Sequence, residues 1–413
     1  MFGDTELWFV DTPRRLQDMA DALRDATVVG VDTESDSFHH YQEKVCLIQF
    51  SDHRRDYIVD PLAVPDLSPL GPMFADRDVV KIFHGADYDI VCMKRDFGFD
   101  IHNIFDTMLG AQMAGFPKFG LADLIEGFFG HHIDKQYQRH DWARRPLLDE
   151  HIQYARGDTH FLLAIREILT YRLRRVGRLA HLEEECELLE AREWTPRLAD
   201  PAQWMRTKGS THLDPTSMRV LRALWHFRDE EARKSDRPAF KVLPDPVLVK
   251  VAEEQPLSED ALERLFPGKA PMKKRYGRGL LKAVTDGLSD NAPLPVPKAP
   301  KAAKPSGPET RLRGKVMERA LGALKQWRND VVSHNKMFSP LTTASNSVLK
   351  EIARCRPTTI DELRATPEVR KWQVETFGPA ILAVLDEEVP WPLPETDEDE
   401  DDAPAKRRRR RKR

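Results

Sequence analysis

Cysteine is scarce. The four residues among 413, Cys46, Cys92, Cys186 and Cys355, form no Cys-x-x-Cys pair and sit in apolar surroundings such as Val45-Cys46-Leu47-Ile48. That usage excludes a disulfide framework or a thiolate zinc site and reads as reduced core thiols. Long apolar stretches are missing as well, and the segment from Met1 to Glu6 has neither a basic nor an apolar leader pattern. A membrane span and a secretory leader are therefore not expected, and a soluble cytoplasmic protein is. Nor is there an excess of charge of one sign: the net charge is -3, so composition alone points to no polyanionic partner. Charge is instead uneven, with an acidic run from Asp397 to Asp402 followed by an all-basic one from Lys406 to Arg413. Such blocks stay disordered, because self-repulsion and a lack of apolar side chains leave chain entropy unopposed. A nucleic-acid tether and a solubilising tail fit the run equally.

What is present is a change of pattern along the chain. To about residue 175, short β-rich runs alternate with helical patterns. Thr27 to Asp32, Val45 to Phe50 and Tyr57 to Val59 read as an antiparallel meander, and Val79 to Phe83 as a fourth strand. From Ala86 onward the pattern is mostly helical, so a mixed sheet flanked by helices is expected. After about residue 210 strand signals vanish. Amphipathic helices take over, interrupted from Asp290 to Pro308 by a segment with six prolines that reads as a solvated linker. The flanking segments repeat each other. Leu224, Phe227 and Arg228 match Leu324, Trp327 and Arg328, Pro256 to Leu262 matches Pro357 to Leu363, and Tyr276-Gly277 matches Phe377-Gly378. A nearly constant offset over three blocks indicates a duplicated helical module. Ser258 and Thr359 are the expected N-caps of equivalent helices.

Three short motifs carry the chemistry. Asp32-Thr33-Glu34 ends the first strand of the meander. Alternation puts both carboxylates on one face, where they repel unless a cation lies between them. His84-Gly85-Ala86-Asp87-Tyr88-Asp89 leads from the fourth strand into a helix whose first turn holds Asp89, a position the helix dipole favours; Asp87 competes for the same role. Tyr154-Ala155-Arg156-Gly157-Asp158 lies on a helix expected to run past Ile168. Tyr154 and Asp158 stack four residues apart on a stripe continued by Phe161, Leu162 and Ile165. A carboxylate on an apolar stripe costs several kcal/mol unless a positive group meets it. A metal ion is one partner, and an arginine from elsewhere, Arg144 or Arg145, is the other.

In this order and on these elements, the motifs resemble those of the DEDD superfamily of 3′→5′ exonucleases, in the branch with tyrosine in the third motif. The connecting blocks Lys44 to Gln49, Lys135 to Gln138, Asp141-Trp142 and Arg145-Pro146-Leu147 resemble those of the ribonuclease D family, and the repeated modules resemble its HRDC domains. The resemblance covers roughly residues 5–388. It implies an α/β fold, a ribonuclease H-like mixed-sheet exonuclease domain over 1–205 followed by two all-α HRDC-type domains. These span 206–289 and 311–390, with a linker at 290–310 and a tail at 391–413. It also implies Asp32, Glu34, Asp89 and Asp158 as metal ligands, with Asp89 rather than Asp87 as the second-motif ligand, and Tyr154 as the residue that orients the attacking water.

These residue types suit phosphodiester hydrolysis, which two divalent metals assist by supplying a nucleophile and by stabilising charge on both the attacking and leaving oxygens. Oxygen ligands without histidine or cysteine favour Mg²⁺ or Mn²⁺ over zinc. His84, His131, His132 and His140 have no companion at ligand spacing and are given loop or capping roles. Thr33, His84 and Tyr137 are the candidate substrate contacts, with Trp142 and Phe119 as further aromatics suited to stacking or to core packing. Lys208, Arg228, Lys234, Lys241, Lys273, Lys274 and Arg275 read by themselves as a solvated charged face, and it is the resemblance that implies phosphate contact by the first module. The expected partner is RNA with a single-stranded 3′ end, such as a tRNA precursor, and no membrane. A DNA exonuclease and a non-catalytic RNA-binding protein are the competing readings.

Overall fold

The run Val28-Val29-Gly30-Val31 is β-branched apart from one glycine, and it becomes the first half of strand β2 (Val28–Ser35). Five more strands complete one mixed sheet in the computed structural model: β1 (Glu6–Val10), β3 (Val45–Ser51), β4 (Arg55–Val59), β5 (Val80–Phe83) and β6 (Ile104–Asp106). Residues 2, 5–134, 136–195, 202–294, 308–335 and 338–388 are described, and the chain divides into two units, Met1–Ala303 and Lys304–Arg413. The sheet order is β1-β4-β3-β2-β5-β6, with β2, β3 and β4 antiparallel and β1, β5 and β6 added in parallel to their neighbours. The meander and fourth strand expected from sequence are present; β1 and β6 add two more. Every residue of β3 is buried, because helices cover both faces of the sheet.

Helices α1 (Pro13–Ala22), α2 (Gly71–Ala75), α3 (Asp87–Phe97), α4 (Thr107–Met113), α5 (Leu121–Phe129), α6 (Asp149–His160), α7 (Leu162–Arg175) and α8 (Leu179–Glu190) surround the sheet. The single long helix expected through the third motif is instead two. The helical run breaks at Phe161, where α6 gives way to α7. The break lies over Gly30: a Cβ there would meet the Thr159 carbonyl oxygen at 3.2 Å and Leu162 Cβ at 3.3 Å. Gly30 thus lets the α6–α7 junction settle directly on β2, which brings the third motif down onto the first.

The remainder of the first unit is helical: α9 (Pro215–Lys234), α10 (Ala239–Val242), α11 (Asp245–Glu254), α12 (Glu259–Leu265) and α13 (Ala270–Ser289). In the second unit, α14 (Pro308–His334), α15 (Pro340–Thr343), α16 (Asn346–Cys355), α17 (Ile360–Arg364) and α18 (Lys371–Glu388) repeat that long-short-medium-short-long order. The shared internal device is a buried arginine. Arg228 Nη1 donates to the Leu243 carbonyl at 3.2 Å and to Asp245 at 2.6 Å, and Arg328 Nη1 donates to the Ala344 carbonyl at 3.0 Å and to Asn346 at 2.9 Å. Ser258 and Thr359 cap α12 and α17 as expected, accepting from Ala261 N and Glu362 N.

Two expectations are corrected here. Arg228 is buried and held by Asp245, so it is not a phosphate contact. Cys355 is exposed, whereas Cys46, Cys92 and Cys186 are core thiols, and all four are free. The expected linker falls largely, and the acidic-basic tail wholly, outside the described residues. No described helix is long and apolar enough to cross a membrane.

Candidate active site

Asp32 and Glu34 lie on the same face of β2 as Gly30, the face covered by α6. Opposite them on β3 stand Gln49 and Leu47, and a bulge between Glu34 and Ser35 ends the regular pairing at that point. Ser51, the β3 partner of Gly30, holds α6 in place: its hydroxyl bridges Thr159 Oγ1 at 2.8 Å and Asp56 Oδ1 at 2.6 Å. With the helix fixed next to Asp158, one carboxylate oxygen each from Asp32, Glu34 and Asp158 come within 4.8 Å of one another.

Asp89 approaches from α3. Thr33 points to the opposite side of β2 and its hydroxyl donates to Asp89 Oδ1, tying the second motif to the first. Asp89 is buried in the first turn of α3, outside the tight grouping of three but close enough for its charge to act on all of them. Asp87 points away; it is exposed and pairs with Arg192 at 2.6 Å. The turn that launches α3 needs Gly85, whose φ of 80° is left-handed. Asp106 fixes this turn. Its buried carboxylate accepts from the backbone N–H groups of Gly85 and Ala86 at 3.1 and 2.8 Å, and from Met108 and Leu109 at 2.8 and 3.1 Å as the N-cap of α4. His84 is packed against α4, its Nδ1 2.9 Å from Thr107 Oγ1, and burial pushes its pKa down to about 4. The imidazole is therefore neutral at physiological pH.

The electrostatics of the acidic group are one-sided. Burial, and then the charges of Asp89, Asp158 and Glu34, raise the Asp32 carboxyl well above the usual range. Burial, Asp158 and Asp89 do the same for Glu34, and burial with Asp89 raises Asp158. At such separations two ionised carboxylates repel by about 3–4 kcal/mol at an effective dielectric near 20. Among the described residues no lysine, arginine or histidine forms an ion pair with Asp32, Glu34, Asp89 or Asp158. Both arginines considered as partners are engaged elsewhere: Arg145 grips Asp60 at 2.6 and 2.7 Å, and Arg144 lies 3.4 Å from Asp141.

The donor set fits a hard divalent cation, being all carboxylate oxygen without sulfur or imidazole. A second observation agrees. Gln49, opposite Asp32 on the same face and fully buried, has neither amide atom in a hydrogen bond. A buried amide with both ends unmet marks a place for a polar species, such as water ordered around an ion.

Tyr154, one turn before Asp158, is surrounded by rings. Trp142 lies 6.0 Å and Tyr137 5.6 Å from it, centroid to centroid. Burial, followed by Asp158, Glu34 and Asp32, raises its phenol far above neutrality, so the hydroxyl keeps its proton. Trp142 is part of the core beneath, packed with Cys46, Leu47, Ile58 and Ala155, while Tyr137 stays at the rim. Sequence reasoning missed Asp106, although an aspartate just before Thr107-Met108-Leu109 carries a readable N-cap signal, and it gave Gln49 no role of its own although it is the one amide in a run of apolar residues.

The family described as 3′-5′ exonuclease matches residues 8–174, and the HRDC domain family matches twice, over 217–284 and 317–385. The chain is similar to ribonuclease D of Desulfotalea psychrophila, with 31% identity over 68% of this chain and 75% of that one. It is also similar to the exosome complex exonuclease RRP6 of Saccharomyces cerevisiae, with 31% identity over 68% of this chain but only 40% of that longer protein. Among solved structures, the catalytic core of RRP6 from Trypanosoma brucei superposes with a TM-score of 0.62 at 30% identity, covering 71% of this chain and 82% of that one.

Proposed function

The chain belongs to the ribonuclease D family of 3′→5′ exonucleases, and from that premise we propose that it removes nucleotides one at a time from the single-stranded 3′ end of RNA, releasing nucleoside 5′-monophosphates. Asp32, Glu34, Asp89 and Asp158 hold two divalent cations, Mg²⁺ or Mn²⁺. The observation that carries this reading is the close group of half-buried carboxylates, with the buried Asp89 beside it, that no side-chain cation among the described residues neutralises. Bound there, a pair of divalent cations stabilises charge on the attacking and leaving oxygens of the phosphodiester.

The chain's own residues supply placement. Thr33 fixes the Asp89 carboxylate by a hydrogen bond, and Asp106 fixes the turn that carries it. Tyr154 keeps its proton, so its hydroxyl can orient the attacking water by donating to it, while the carboxylates accept. Tyr137, at the rim beside Tyr154, is the aromatic that this reading assigns to stacking on the terminal base. His84 is neutral and contributes no charge to the substrate phosphate.

RNA is favoured over DNA because the relatives matched at 31% identity are a ribonuclease and an exonuclease of the exosome complex. Trimming of 3′ extensions from tRNA precursors and other small RNAs is the physiological role that follows. The test incubates the full chain with 3′-extended tRNA precursor, and with matched single-stranded RNA and DNA, in Mg²⁺ or in EDTA. Metal-dependent shortening of the RNA with release of mononucleotides is expected. No release in metal overturns the reading, and equal or faster loss of the DNA replaces it with a DNA exonuclease.

A further inference from the structure

The loop that follows the first motif does not return directly to the sheet. Between Glu34 and Val45 it reaches the first helical module and is pinned there. His40 Nδ1 lies 2.7 Å from Asp236 Oδ2, the Tyr41 backbone N–H donates to Asp236 Oδ1 at 3.1 Å, and the Tyr41 hydroxyl donates to Asp229 at 2.8 Å. The same loop touches the segment ahead of the third motif, where His39 Nε2 lies 2.9 Å from the Arg139 carbonyl oxygen. Three parts of the first unit therefore meet at one seam: the loop after Asp32-Thr33-Glu34, the loop before Tyr154, and the turn after α9.

At this seam two phenylalanines are left in the open. Phe38 is 45% and Phe240 50% exposed, although their rings meet edge to face with centroids 6.4 Å apart. Polar bonds already hold the seam closed, and a contact whose purpose was docking would bury the rings rather than spend about half of each on water. Arg139 sets its guanidinium 5.8 Å from the Phe38 ring centre. The surrounding carboxylates are engaged, Asp236 by His40 and Tyr41, and Asp229 by Tyr41 and Arg233 at 3.0 Å. Arg139, Arg237 and Lys241, by contrast, form no ion pair among the described residues. Open aromatic rings with one arginine beside Phe38 and two more uncommitted cations within three residues of Phe240 in the chain suit a single strand, the rings taking bases and the cations taking phosphates. The place is right as well. Phe38 is four residues beyond Glu34, so the chain itself limits their separation to about 14 Å.

We propose that Phe38 and Phe240, with Arg139, Arg237 and Lys241, form a stacking platform for single-stranded RNA, gripping bases a few nucleotides upstream of the 3′ end that enters the carboxylate site. The inference rests on the exonuclease reading and names a substrate subsite for it. It also gives the first helical module a part in catalysis through Phe240, and explains why the first-motif loop is fastened to that module.

The test measures binding of short single-stranded RNAs to the full chain in EDTA, with 2-aminopurine placed at successive positions from the 3′ end. Leucine keeps the apolar contact at the seam and removes the π-face, so Phe38→Leu with Phe240→Leu is the informative variant. At least about a fivefold rise in Kd is expected, with loss of the quenching that stacking gives at one or two internal positions. Tyr171→Leu makes the same exchange at an exposed position on α7, 66% accessible, and is expected to leave Kd unchanged. Wild-type affinity in the double variant, or equal weakening by Tyr171→Leu, overturns the platform. Adding Mg²⁺ to the wild type on the same RNAs separates the two ideas. Hydrolysis by the wild type together with unaltered binding by the double variant sinks the platform alone, whereas no hydrolysis sinks the reading beneath it.

Discussion

Helix α6 delivers charge to two places on the same face of the sheet, and it treats them in opposite ways. Toward β4 it sends Arg156 and His160, which meet the buried Asp56 at 2.5 and 2.9 Å while Ser51 donates at 2.6 Å. Burial pushes the Asp56 carboxyl up, but these hydrogen bonds outweigh it and hold the pKa below its ordinary value. Toward β2 the helix sends Asp158, another acid, into a place that already holds Asp32 and Glu34, and all three are raised. A protein that needed only to bury a carboxylate has the means at hand two residues away. That it adds a third acid instead fits the proposed reading, in which the compensating charge at this site comes from outside the chain. The contrast separates an acid neutralised within the chain from a group of acids that is not, without appeal to the motif that either belongs to.

The contrast breaks most sharply under amide substitution. Asp158→Asn or Asp32→Asn removes several kcal/mol of metal-dependent charge stabilisation, so hydrolysis of single-stranded RNA is expected to fall at least about a thousandfold. In EDTA the same variants should melt at or above the wild-type temperature, because a repelling charge has gone. Activity within tenfold of wild type, or a lowered melting temperature with unaltered activity, would make the trio structural. Asp56→Ala should do the reverse. It strands Arg156, which is 8% exposed, in a buried place, and breaking such a cluster costs about 3–5 kcal/mol, read as a loss of thermal stability.

A smaller effect is expected from metal itself. Mg²⁺ added to the metal-free protein should raise the melting temperature, by about 2.7 kcal/mol of stability at a hundred times Kd. The increment should vanish in Asp32→Asn and persist in a folded Asp56→Asn protein. An equal rise in Asp32→Asn would place the ion elsewhere.

How far the sequence shows this contrast depends on which side of it is read. Strands β2 to β5 are legible because runs such as Val28-Val29-Gly30-Val31 fit only a pleated, covered surface. Strands β1 and β6 are not, since Glu6–Val10 owes its place to parallel pairing with β4, and Ile104–Asp106 is too short to carry a period. The acidic site is legible because three motifs, each weak alone, fall on the right elements in order. Its neutral counterpart is not. Asp56, Arg156 and His160 are 100 and 104 residues apart across the pair, and nothing local tells a buried ion cluster from a solvated one. The same blindness misassigned Arg228, a lone arginine in a charged helix whose carboxylate, Asp245, comes from another helix. The break at Phe161 was hidden because the apolar stripe runs on unbroken through it, and only the approach to Gly30 requires the interruption.

The last and smallest effect concerns pH, where the two sets should pull in opposite directions. Asp56 titrates below its unfolded value, so it stabilises the fold above about pH 4 and that contribution is lost as pH falls through its lowered folded value. Asp32, Glu34 and Asp158 titrate above theirs, so between the unfolded and folded values the native state binds more protons, and metal-free stability rises as pH falls. His84 adds a third slope. Its folded value, pushed down to about 4 by burial, makes the unfolded chain the better proton binder below about pH 6.5, so it removes stability on acidification. The absolute melting curve mixes all three, but the difference between wild type and Asp158→Asn cancels His84 and Asp56. In EDTA that difference, in which the variant is the more stable at neutral pH, should shrink by about 1 kcal/mol as pH is lowered toward 5. A gap that widens on acidification would mean that Asp158 is stabilised as the anion by a cation within the chain, which would erase the distinction between the two ends of α6.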